Sequence, residues 1–301
     1  MKNILITGIS GFVGSNLKVY LASNPNFTVF AYNRSSSSVY LNETNVIIHL
    51  AGKAHDIKNV LRPDEYYKVN TELTIKIFDA FLASNAKIFI MLSSVKAVAD
   101  ELDCELTEKY KPNPITHYGK SKLLAEKYIL SKEIPVGKRV YILRPCMIHG
   151  PGNKGNLNLL YKIVSKGLPW PLGAFENKRS FCSIDNLCFI INELIENNQI
   201  PSGVYNIADD ETISTNDLIN LIGESQSKKA HIWNTPQPLI KLISKMGDML
   251  RLPLNTERLC KLTETYIVSN NKIITAINKP LPLSAKEGLM KTLNSFNTNG
   301  K

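Results

Sequence analysis

Residues 3–14 read NILITGISGFVG, a short apolar run followed by glycines at positions 8, 11 and 14. The apolar run predicts a buried strand over residues 3–7, and the next residues, SNLKVYLASN, carry apolar side chains at helical spacing. Strand, tight turn and helix in this order form a phosphate-binding turn. Small residues there let backbone N–H groups approach a pyrophosphate, and the helix N-terminus faces the anion. The stretch therefore predicts a dinucleotide site at Gly8, Gly11 and Gly14.

Strands and helices alternate over the next 130 residues or so. Strand-like runs lie at 27–32, 45–52, 87–94 and 139–145, and helical patterns lie at 63–84 and 118–131. The run NVIIHLAG at 45–52 is apolar throughout, which is typical of a strand buried on both faces of a parallel sheet. The alternation predicts an α/β fold with a Rossmann-like, doubly wound parallel sheet.

The pattern changes after Pro145, because prolines and glycines cluster in PCMIHGPGN and GLPWPLGAF. A strand-like run at 180–184, a helix at 185–197 and the segment GVYNIA then resume the earlier alternation. We expect a dinucleotide-binding domain over 1–148, to which 180–208 returns. A smaller, mainly helical substrate-binding region is expected over 149–179 and 209–301.

A second chemical motif is YGKSK at 118–122, which places Tyr118 and Lys122 four residues apart on one face of a predicted helix. A phenol with a pKa of about 10 is a weak acid–base group, and a nearby ammonium favours the phenolate. The motif follows a dinucleotide turn and a strand that ends in Ser93 and Ser94. This order predicts a proton-transfer site.

With these motifs the chain resembles the extended short-chain dehydrogenase/reductases that act on nucleotide sugars. The similar stretches are TGISGFVGSNL at 7–17, VNTELT at 69–74, LSSVKAVADE at 92–101, Arg144–Pro145, HGPGN at 149–153, KRSFCSIDNL at 178–187 and GVYNIADDETIS at 203–214. The resemblance implies that Tyr118 is the general acid/base, that Lys122 holds the nicotinamide ribose and that Ser94 hydrogen-bonds the reacting oxygen.

The resemblance and the two motifs together define the expected site. Substrate contacts are expected from Ser94, Tyr118, Lys154, Asn156 and Arg179, with Arg179 at the nucleotide diphosphate because a guanidinium suits that bidentate task. The alternative interpretation is that Arg179 is a surface arginine in a loop. The expected cofactor contacts are Gly8, Gly11, Phe12, Val13, Gly14, Arg34, Leu50, Ala51, Gly52, Asn70, Ser93, Tyr118, Lys122 and Pro145.

The end of the second strand indicates which dinucleotide binds. An NAD site places a carboxylate there, roughly 20 residues past the glycines, whereas an arginine accommodates the 2′-phosphate of NADP. Asn33 and Arg34 occupy this place, and no Asp or Glu precedes Glu43. The sequence therefore favours NADP(H) over NAD(H). The alternative is that Arg34 is a solvated loop residue.

Residues 150–180, GPGNKGNLNLLYKIVSKGLPWPLGAFENKRS, are similar to a bacterial surface-polysaccharide subgroup of this family whose members interconvert or reduce UDP-sugars at the 4-position. The implied reaction is hydride transfer at the 4-position of a UDP-hexose or UDP-N-acetylhexosamine in surface-polysaccharide biosynthesis. Arg34 favours NADPH-dependent reduction of a UDP-4-keto-6-deoxy-sugar. Two alternatives stay open: a UDP-glucose or UDP-N-acetylglucosamine 4-epimerase with tightly bound NAD, and a non-catalytic NADP-binding sensor. Dehydration is disfavoured, because Val95 and Lys96 stand where 4,6-dehydratases of the family carry an acidic pair.

Charge and motif content limit the classes of partner that the protein could bind. The net charge of +10 suits nucleic acid, an anionic membrane surface or a phosphorylated small molecule. No zinc-finger spacing, RNP signature or basic block occurs, which disfavours nucleic acid. Histidines and cysteines lack metal-ligand spacing, so no metal is expected.

The length of the apolar runs and the N-terminal sequence indicate where the protein is located in the cell. No apolar run approaches the roughly 20 residues that span a bilayer. The N-terminus reads as a strand rather than a signal peptide, so we expect a cytoplasmic protein. Since the resembled family is commonly dimeric through its helices, a homodimer is a further expectation.

Overall fold

A computed structural model of the chain describes residues 1–32, 43–53, 62–153, 156–250 and 254–298. Its main sheet consists of β1 (Lys2–Thr7), β2 (Phe27–Ala31), β3 (Val46–His49), β4 (Ile88–Leu92), β5 (Arg139–Pro145) and β8 (Gly203–Ile207). These six strands are parallel and lie in the order β2-β1-β3-β4-β5-β8. The predicted Rossmann-like, doubly wound sheet is therefore confirmed.

Helices cover both faces of this sheet. In chain order, the α-helices of the described residues are α1 (Phe12–Ala22), α2 (Pro63–Tyr66), α3 (Leu73–Ala83), α4 (His117–Leu130), α5 (Asn156–Ser165), α6 (Ile184–Glu196), α7 (Thr215–Ser225), α8 (Gln237–Leu250), α9 (Thr256–Thr263), α10 (Asn271–Ile277) and α11 (Ala285–Thr298). Successive strand residues point to opposite faces. Ile4 and Ile6 pack with α1 and α6, whereas Leu5 packs with α3 and α4. This two-sided burial explains why the strands read as continuous apolar runs.

The helix predicted at 63–84 has an interruption. Between α2 and α3 the segment Tyr67–Glu72 is π-helical, and it contains the fully buried Asn70. A π-turn inserts an extra residue into a helical turn and is frequent at functional sites. Apolar periodicity cannot reveal it, because the helix on either side keeps its normal spacing.

A second, smaller sheet follows the main one. It contains β6 (Met147–His149), β7 (Arg179–Ser183) and β9 (Thr212–Ile213), in the order β6-β7-β9. The segment 180–208, which was expected to return to the first domain, is divided between the two sheets. Its first strand, β7, pairs in the small sheet, whereas β8 joins the main sheet and α6 packs against α1. A separate apolar cluster lies under α5, α7 and α11, and its members include Leu157, Trp170, Leu218 and Leu289. The domain boundaries themselves stay a prediction.

The turn between β1 and α1 allows no side chain at Gly14. A Cβ there would lie 2.3 Å from Gly8 O and 2.6 Å from Ile9 Cα. We expect Gly14→Ala to push α1 away from the turn, to lower the free energy of unfolding by about 1–3 kcal/mol and to weaken dinucleotide binding. Urea unfolding and fluorescence titration with NADPH measure the two effects.

The matched control is Val19→Ala. Val19 lies on the same helix with its side chain 74% exposed, so its truncation leaves the contact between helix and turn unchanged. This variant should unfold and bind dinucleotide as the unaltered chain does. If Gly14→Ala behaved like the control, the close approach of helix and turn would be contradicted.

Candidate active site

The carboxyl ends of β1 and β3 meet at the predicted dinucleotide turn. Gly8 has φ +70°, a left-handed conformation that favours glycine, and Gly11 N donates to Gly8 O at 3.0 Å. A Cβ on Gly8 would lie 2.8 Å from Ala51 N, so the segment after β3 runs directly beside the turn. The structure thus brings the predicted cofactor residues 8–14 and 50–52 to one edge of the sheet.

The N-terminus of α1 fits an anionic ligand. Gly11 is its N-cap, no side chain caps the helix, and its first turn holds no acidic residue. The first N–H groups of a helix have no partner within the helix, and they attract negative charge. Phe12 and Val13 begin this helix. The donor chemistry therefore matches the diphosphate of a dinucleotide.

Ser94, Tyr118 and Lys122 converge at the end of the neighbouring strand, β4. The Tyr118 hydroxyl and the Ser94 side chain are hydrogen-bonded. One helical turn further along α4, Lys122 Nζ donates to Leu92 O at 2.9 Å. The structure therefore brings together the three residues that the sequence predicts for proton transfer.

Asp100 fixes how α4 begins beside Ser94. Its carboxylate accepts hydrogen bonds from Ile115 N at 2.6 Å, Thr116 N at 3.1 Å and Thr116 Oγ1 at 3.0 Å. Thr116 is in turn the N-cap of α4 and accepts from Gly119 N. Because Asp100 lies shortly after Ser94 in the chain, these bonds hold Tyr118 over the end of β4.

Asn70 joins this group from the π-helical segment. Its Oδ1 accepts from Lys53 N at 2.8 Å, and its Nδ2 donates to Lys53 O and to Ser121 Oγ at 3.0 Å. A Cβ on Gly52 would lie 3.0 Å from Lys122 Nζ and 3.1 Å from Asn70 Oδ1. The small residue at position 52 therefore leaves a space on which an ammonium and an amide converge.

Comparison with known proteins fits this arrangement. The NAD dependent epimerase/dehydratase family matches residues 4–208. The chain belongs to this family. The resemblance to extended short-chain dehydrogenase/reductases is thereby confirmed.

Two curated relatives match nearly the whole chain of this family member. A UDP-glucose 4-epimerase of Vibrio cholerae is 29% identical over 98% of this chain and 95% of its own length. An N-acetyl-alpha-D-glucosaminyl-diphospho-ditrans,octacis-undecaprenol 4-epimerase of Escherichia coli O157:H7 is 26% identical over 97% of this chain and 94% of its own. Among solved structures, RMD from Pseudomonas aeruginosa, complexed with NADPH, has a TM-score of 0.76 at 20% identity and covers 99% of this chain and 100% of that one.

The pKa of Tyr118 differs from the expectation. The sequence predicts that Lys122 favours the phenolate of Tyr118, but burial raises the pKa of Tyr118 above its ordinary value, and the hydrogen bond with Ser94 only partly opposes this. Burial also lowers the pKa of Lys122 to about 8, against the effect of Glu126. For Lys122, desolvation thus outweighs the attraction of Glu126. With its pKa raised above the ordinary value of about 10, Tyr118 is a neutral phenol at pH 7.

Ser93 has a role that the motifs do not reveal. Its hydroxyl donates to Glu126, whose carboxylate also accepts two 3.1 Å bonds from Arg144 Nε. Glu126 is fully buried and Arg144 is 5% exposed. The Ser93 hydroxyl is thus engaged inside the protein, and its predicted cofactor contact would have to come from its backbone. Helical spacing is the signal in the sequence that could have indicated this contact, since Glu126 lies one turn beyond Lys122 on the same helix. Pro145, which ends β5, is buried at the same edge.

His49 forms a second buried network under the dinucleotide turn. Its Nδ1 lies 2.8 Å from Thr7 Oγ1, and its Nε2 lies 2.9 Å from Thr74 Oγ1. Thr74 donates to Asn70 O and Thr7 accepts from Ala51 N, so the ring carries its proton on Nε2. Burial, and to a lesser degree Lys122, lowers the pKa of His49 to about 3. This neutral imidazole ties the glycine turn to Asn70.

The structure does not bring the remaining predicted substrate residues, or the cofactor residue Arg34, to the Tyr118 site within the part of the chain that it describes. Arg179, on β7, donates to Lys261 O at 2.8 Å and pairs with Glu264 at 2.9 Å. Arg34 and Lys154 lie outside the described residues, and Asn156 is described only as the first residue of α5. The roles of these four residues stay predictions.

The described residues contain neither a membrane-spanning helix nor a metal-ligand cluster. No described helix has the length and apolar character needed to cross a membrane. Within the same ranges, no group of three His, Cys, Asp or Glu residues could hold a metal ion.

Removing the Glu126 charge should destabilise the fold strongly. Glu126→Gln leaves the Arg144 guanidinium buried without a counter-charge, which costs about 3–5 kcal/mol of unfolding free energy. Urea unfolding at pH 7 measures the change. The control Glu257→Gln removes a surface partner of Lys261 and should leave stability unaltered. Equal effects of the two substitutions would contradict the role of the buried pair.

His49 should make stability dependent on pH. Between pH 6.5 and 3 the unfolded chain binds a proton at His49 that the folded chain does not, so this residue lowers the unfolding free energy by about 1.4 kcal/mol per unit of falling pH. From pH 7.5 to 5, the unaltered chain should therefore lose about 2 kcal/mol more than His49→Gln loses. The control His231→Gln replaces an exposed histidine, and its unfolding free energy should depend on pH as that of the unaltered chain does. If His49→Gln also showed the same pH dependence as the unaltered chain, the buried neutral imidazole would be refuted.

Proposed function

We propose that this chain is an NAD(P)-dependent oxidoreductase that acts at the 4-position of a UDP-hexose or UDP-N-acetylhexosamine. The observation that carries the proposal is the Tyr118–Ser94 hydrogen bond, one helical turn from Lys122. This group lies at the sheet edge that also presents the uncapped N-terminus of α1. A proton-transfer group beside a diphosphate-binding turn is the minimum needed to move hydride and proton to or from one carbon.

Each residue has a distinct task in this proposal. When bound, the nicotinamide supplies or accepts the hydride. Tyr118 exchanges a proton with the 4-oxygen of the sugar, and Ser94 hydrogen-bonds the same oxygen as negative charge develops on it. Lys122 and Asn70 converge above Gly52 and hold the ribose next to the reacting carbon. The N–H groups at the start of α1 hold the dinucleotide diphosphate.

The first candidate reaction is reduction of a UDP-4-keto-6-deoxy-sugar by NADPH. Because its pKa is raised, Tyr118 carries a proton at neutral pH, as a donor to a developing alkoxide must. Arg34 supports the same direction through the 2′-phosphate. The surface-polysaccharide subgroup that the sequence resembles suits such a substrate.

The second candidate is 4-epimerisation with tightly bound NAD. It is favoured by the two relatives that cover 98% and 97% of this chain, since both are named as 4-epimerases. Epimerisation must first remove hydride and proton from the sugar, and therefore requires Tyr118 to act first as a base. Both candidates use the same residues, and they differ in the net redox change.

One set of assays separates the two candidates. The purified protein is incubated with NADPH and UDP-4-keto-6-deoxy-N-acetylglucosamine, with UDP-glucose or UDP-N-acetylglucosamine alone, and with polyprenyl-diphosphate-linked N-acetylglucosamine, the substrate class in the name of the Escherichia coli relative. Oxidation of NADPH with the keto-sugar supports reduction. Interconversion of 4-epimers without added cofactor, and NAD released on denaturation, support epimerisation. No turnover of any of these substrates would overturn the proposal.

Tyr118→Phe tests the catalytic assignment. Loss of the hydroxyl should lower kcat by about 100-fold or more, while the Kd for the dinucleotide stays nearly unchanged. The control is Tyr128→Phe on the same helix, which removes a hydroxyl bonded to the exposed Asp79, and this variant should keep full activity. If Tyr118→Phe retained full cellular function together with dinucleotide binding, the non-catalytic sensor would replace the enzyme.

Arg34→Gln tests the preference for NADP(H). Loss of a charged partner for the 2′-phosphate should lower kcat/KM with NADPH by about tenfold or more and leave the value with NADH unaltered. Steady-state rates with both cofactors measure this. An equal change with the two cofactors, or a strong preference of the unaltered chain for NADH, would contradict the assignment.

Location and assembly belong to the same proposal. A cytoplasmic homodimer is the arrangement that the family resemblance implies, and the net charge of +10 suits an anionic nucleotide-sugar. Light scattering during gel filtration measures the mass of the assembly.

A further inference from the structure

Helix α8, residues Gln237–Leu250, is attached to the protein along a narrow stripe. Only Ile240, Ser244 and Gly247 of this helix are buried. A Cβ on Gly247 would lie 1.9 Å from Leu254 O, so the helix lies very close to the chain that follows it. The Gln237 side chain donates to Ala174 O at 2.8 Å and fixes the first turn. These contacts hold the helix in place and leave most of its circumference exposed.

The exposed circumference carries an unusual number of large apolar side chains. Six of them are between 39% and 83% exposed: Leu239, Leu242, Ile243, Met246, Met249 and Leu250. At about 100° per residue they fall within one arc of about 120°, which we call the α8 apolar face. Single exposed apolar residues are ordinary, whereas a contiguous patch marks an interaction surface.

Positive charge borders this face. Lys241 and Lys245 are exposed on the arc next to the apolar one. The acidic residue of the helix, Asp248, accepts hydrogen bonds from Thr256 N and Thr256 Oγ1, and is therefore engaged in capping α9. An amphipathic helix with Leu and Met on one side and lysines beside them has the character of a helix that lies in a membrane interface.

We propose that the α8 apolar face docks this protein on the surface of an anionic lipid bilayer. The helix lies parallel to the surface, with its Leu and Met side chains between headgroups and acyl chains and its lysines among the headgroup phosphates. Charge favours a bilayer over a second copy of this chain. Two copies each carry +10, and a two-fold pairing of α8 helices would bring like charges together. Anionic headgroups complement them.

This docking is independent of the reaction proposed above, because none of its residues belongs to the Tyr118 site. It adds a location for the enzyme: attached to one face of a membrane without crossing it. Helix α8 is also linked through Ala174 to the segment before β7, so docking would set the orientation of the smaller sheet relative to the bilayer.

Vesicle sedimentation with the full-length chain tests the proposal. We expect binding to vesicles of phosphatidylglycerol and phosphatidylcholine, and much weaker binding to phosphatidylcholine alone or at high salt. The triple variant Leu242→Ser, Met246→Ser, Met249→Ser should weaken binding to the mixed vesicles by about tenfold or more. Lys241→Gln with Lys245→Gln should weaken it by about tenfold to thirtyfold.

The matched control replaces exposed apolar residues elsewhere. Leu130→Ser with Val136→Ser changes two well-exposed apolar side chains that lie outside α8, and this variant should bind vesicles as the unaltered chain does. Thermal unfolding and turnover of a soluble nucleotide sugar check that every variant is folded.

The proposal is overturned if the unaltered chain does not bind the mixed vesicles, or if the triple variant binds them equally well. If the chain does not bind vesicles and the triple variant turns a dimer into a monomer in analytical ultracentrifugation, the α8 apolar face is instead an interface between two copies.

Discussion

The bond from Lys122 Nζ to Leu92 O holds the candidate site together. It joins α4 to the carboxyl end of β4 at the depth of the sheet, where the ammonium is almost entirely removed from water. A buried cation is tolerated only when it is hydrogen-bonded and near a counter-charge, and Leu92 O and Glu126 meet these two needs. Tyr118 lies one turn before this anchor, so its position beside Ser94 follows from it.

Two buried polar networks support this anchor from opposite sides. Below the glycine turn, His49 links Thr7 to Thr74 and so to the backbone of Asn70. Beyond Lys122, Glu126 links Ser93 to Arg144. Such networks stabilise a structure only when every member has a partner, and they then hold one arrangement of side chains. The carboxyl edge of the sheet is thus a rigid polar layer above an apolar interior.

Local patterns predicted the fold well. The strand at 139–145 was predicted with the bounds that the structure has, because a central parallel strand is a continuous apolar run. The placement of Tyr118 and Lys122 on one face of a helix could also be predicted, since it follows from helical spacing. The family resemblance, rather than spacing, indicated that Ser94 lies beside them. The π-turn around Asn70 could not, because it changes the winding of the helix without changing its apolar period.

Contacts between distant residues were beyond prediction from spacing. Arg179 pairs with Glu264, and the two are separated by 85 residues, so nothing near Arg179 indicates the partner. The pKa of Tyr118 was predicted in the wrong direction because the degree of burial is a tertiary property. Helix α8 shows the same limit: the sequence predicts a mainly helical region there, and only the structure shows that six of its large apolar side chains face outward.

The most direct test of the central claim is a crystal structure of the chain with a nicotinamide dinucleotide and a UDP-hexose. The account predicts the Tyr118 hydroxyl and Ser94 Oγ within about 3 Å of the sugar 4-oxygen, Lys122 Nζ on the nicotinamide ribose and the diphosphate at the N-terminus of α1. A complex with the sugar bound elsewhere and the Tyr118 hydroxyl directed away from the nicotinamide would contradict it.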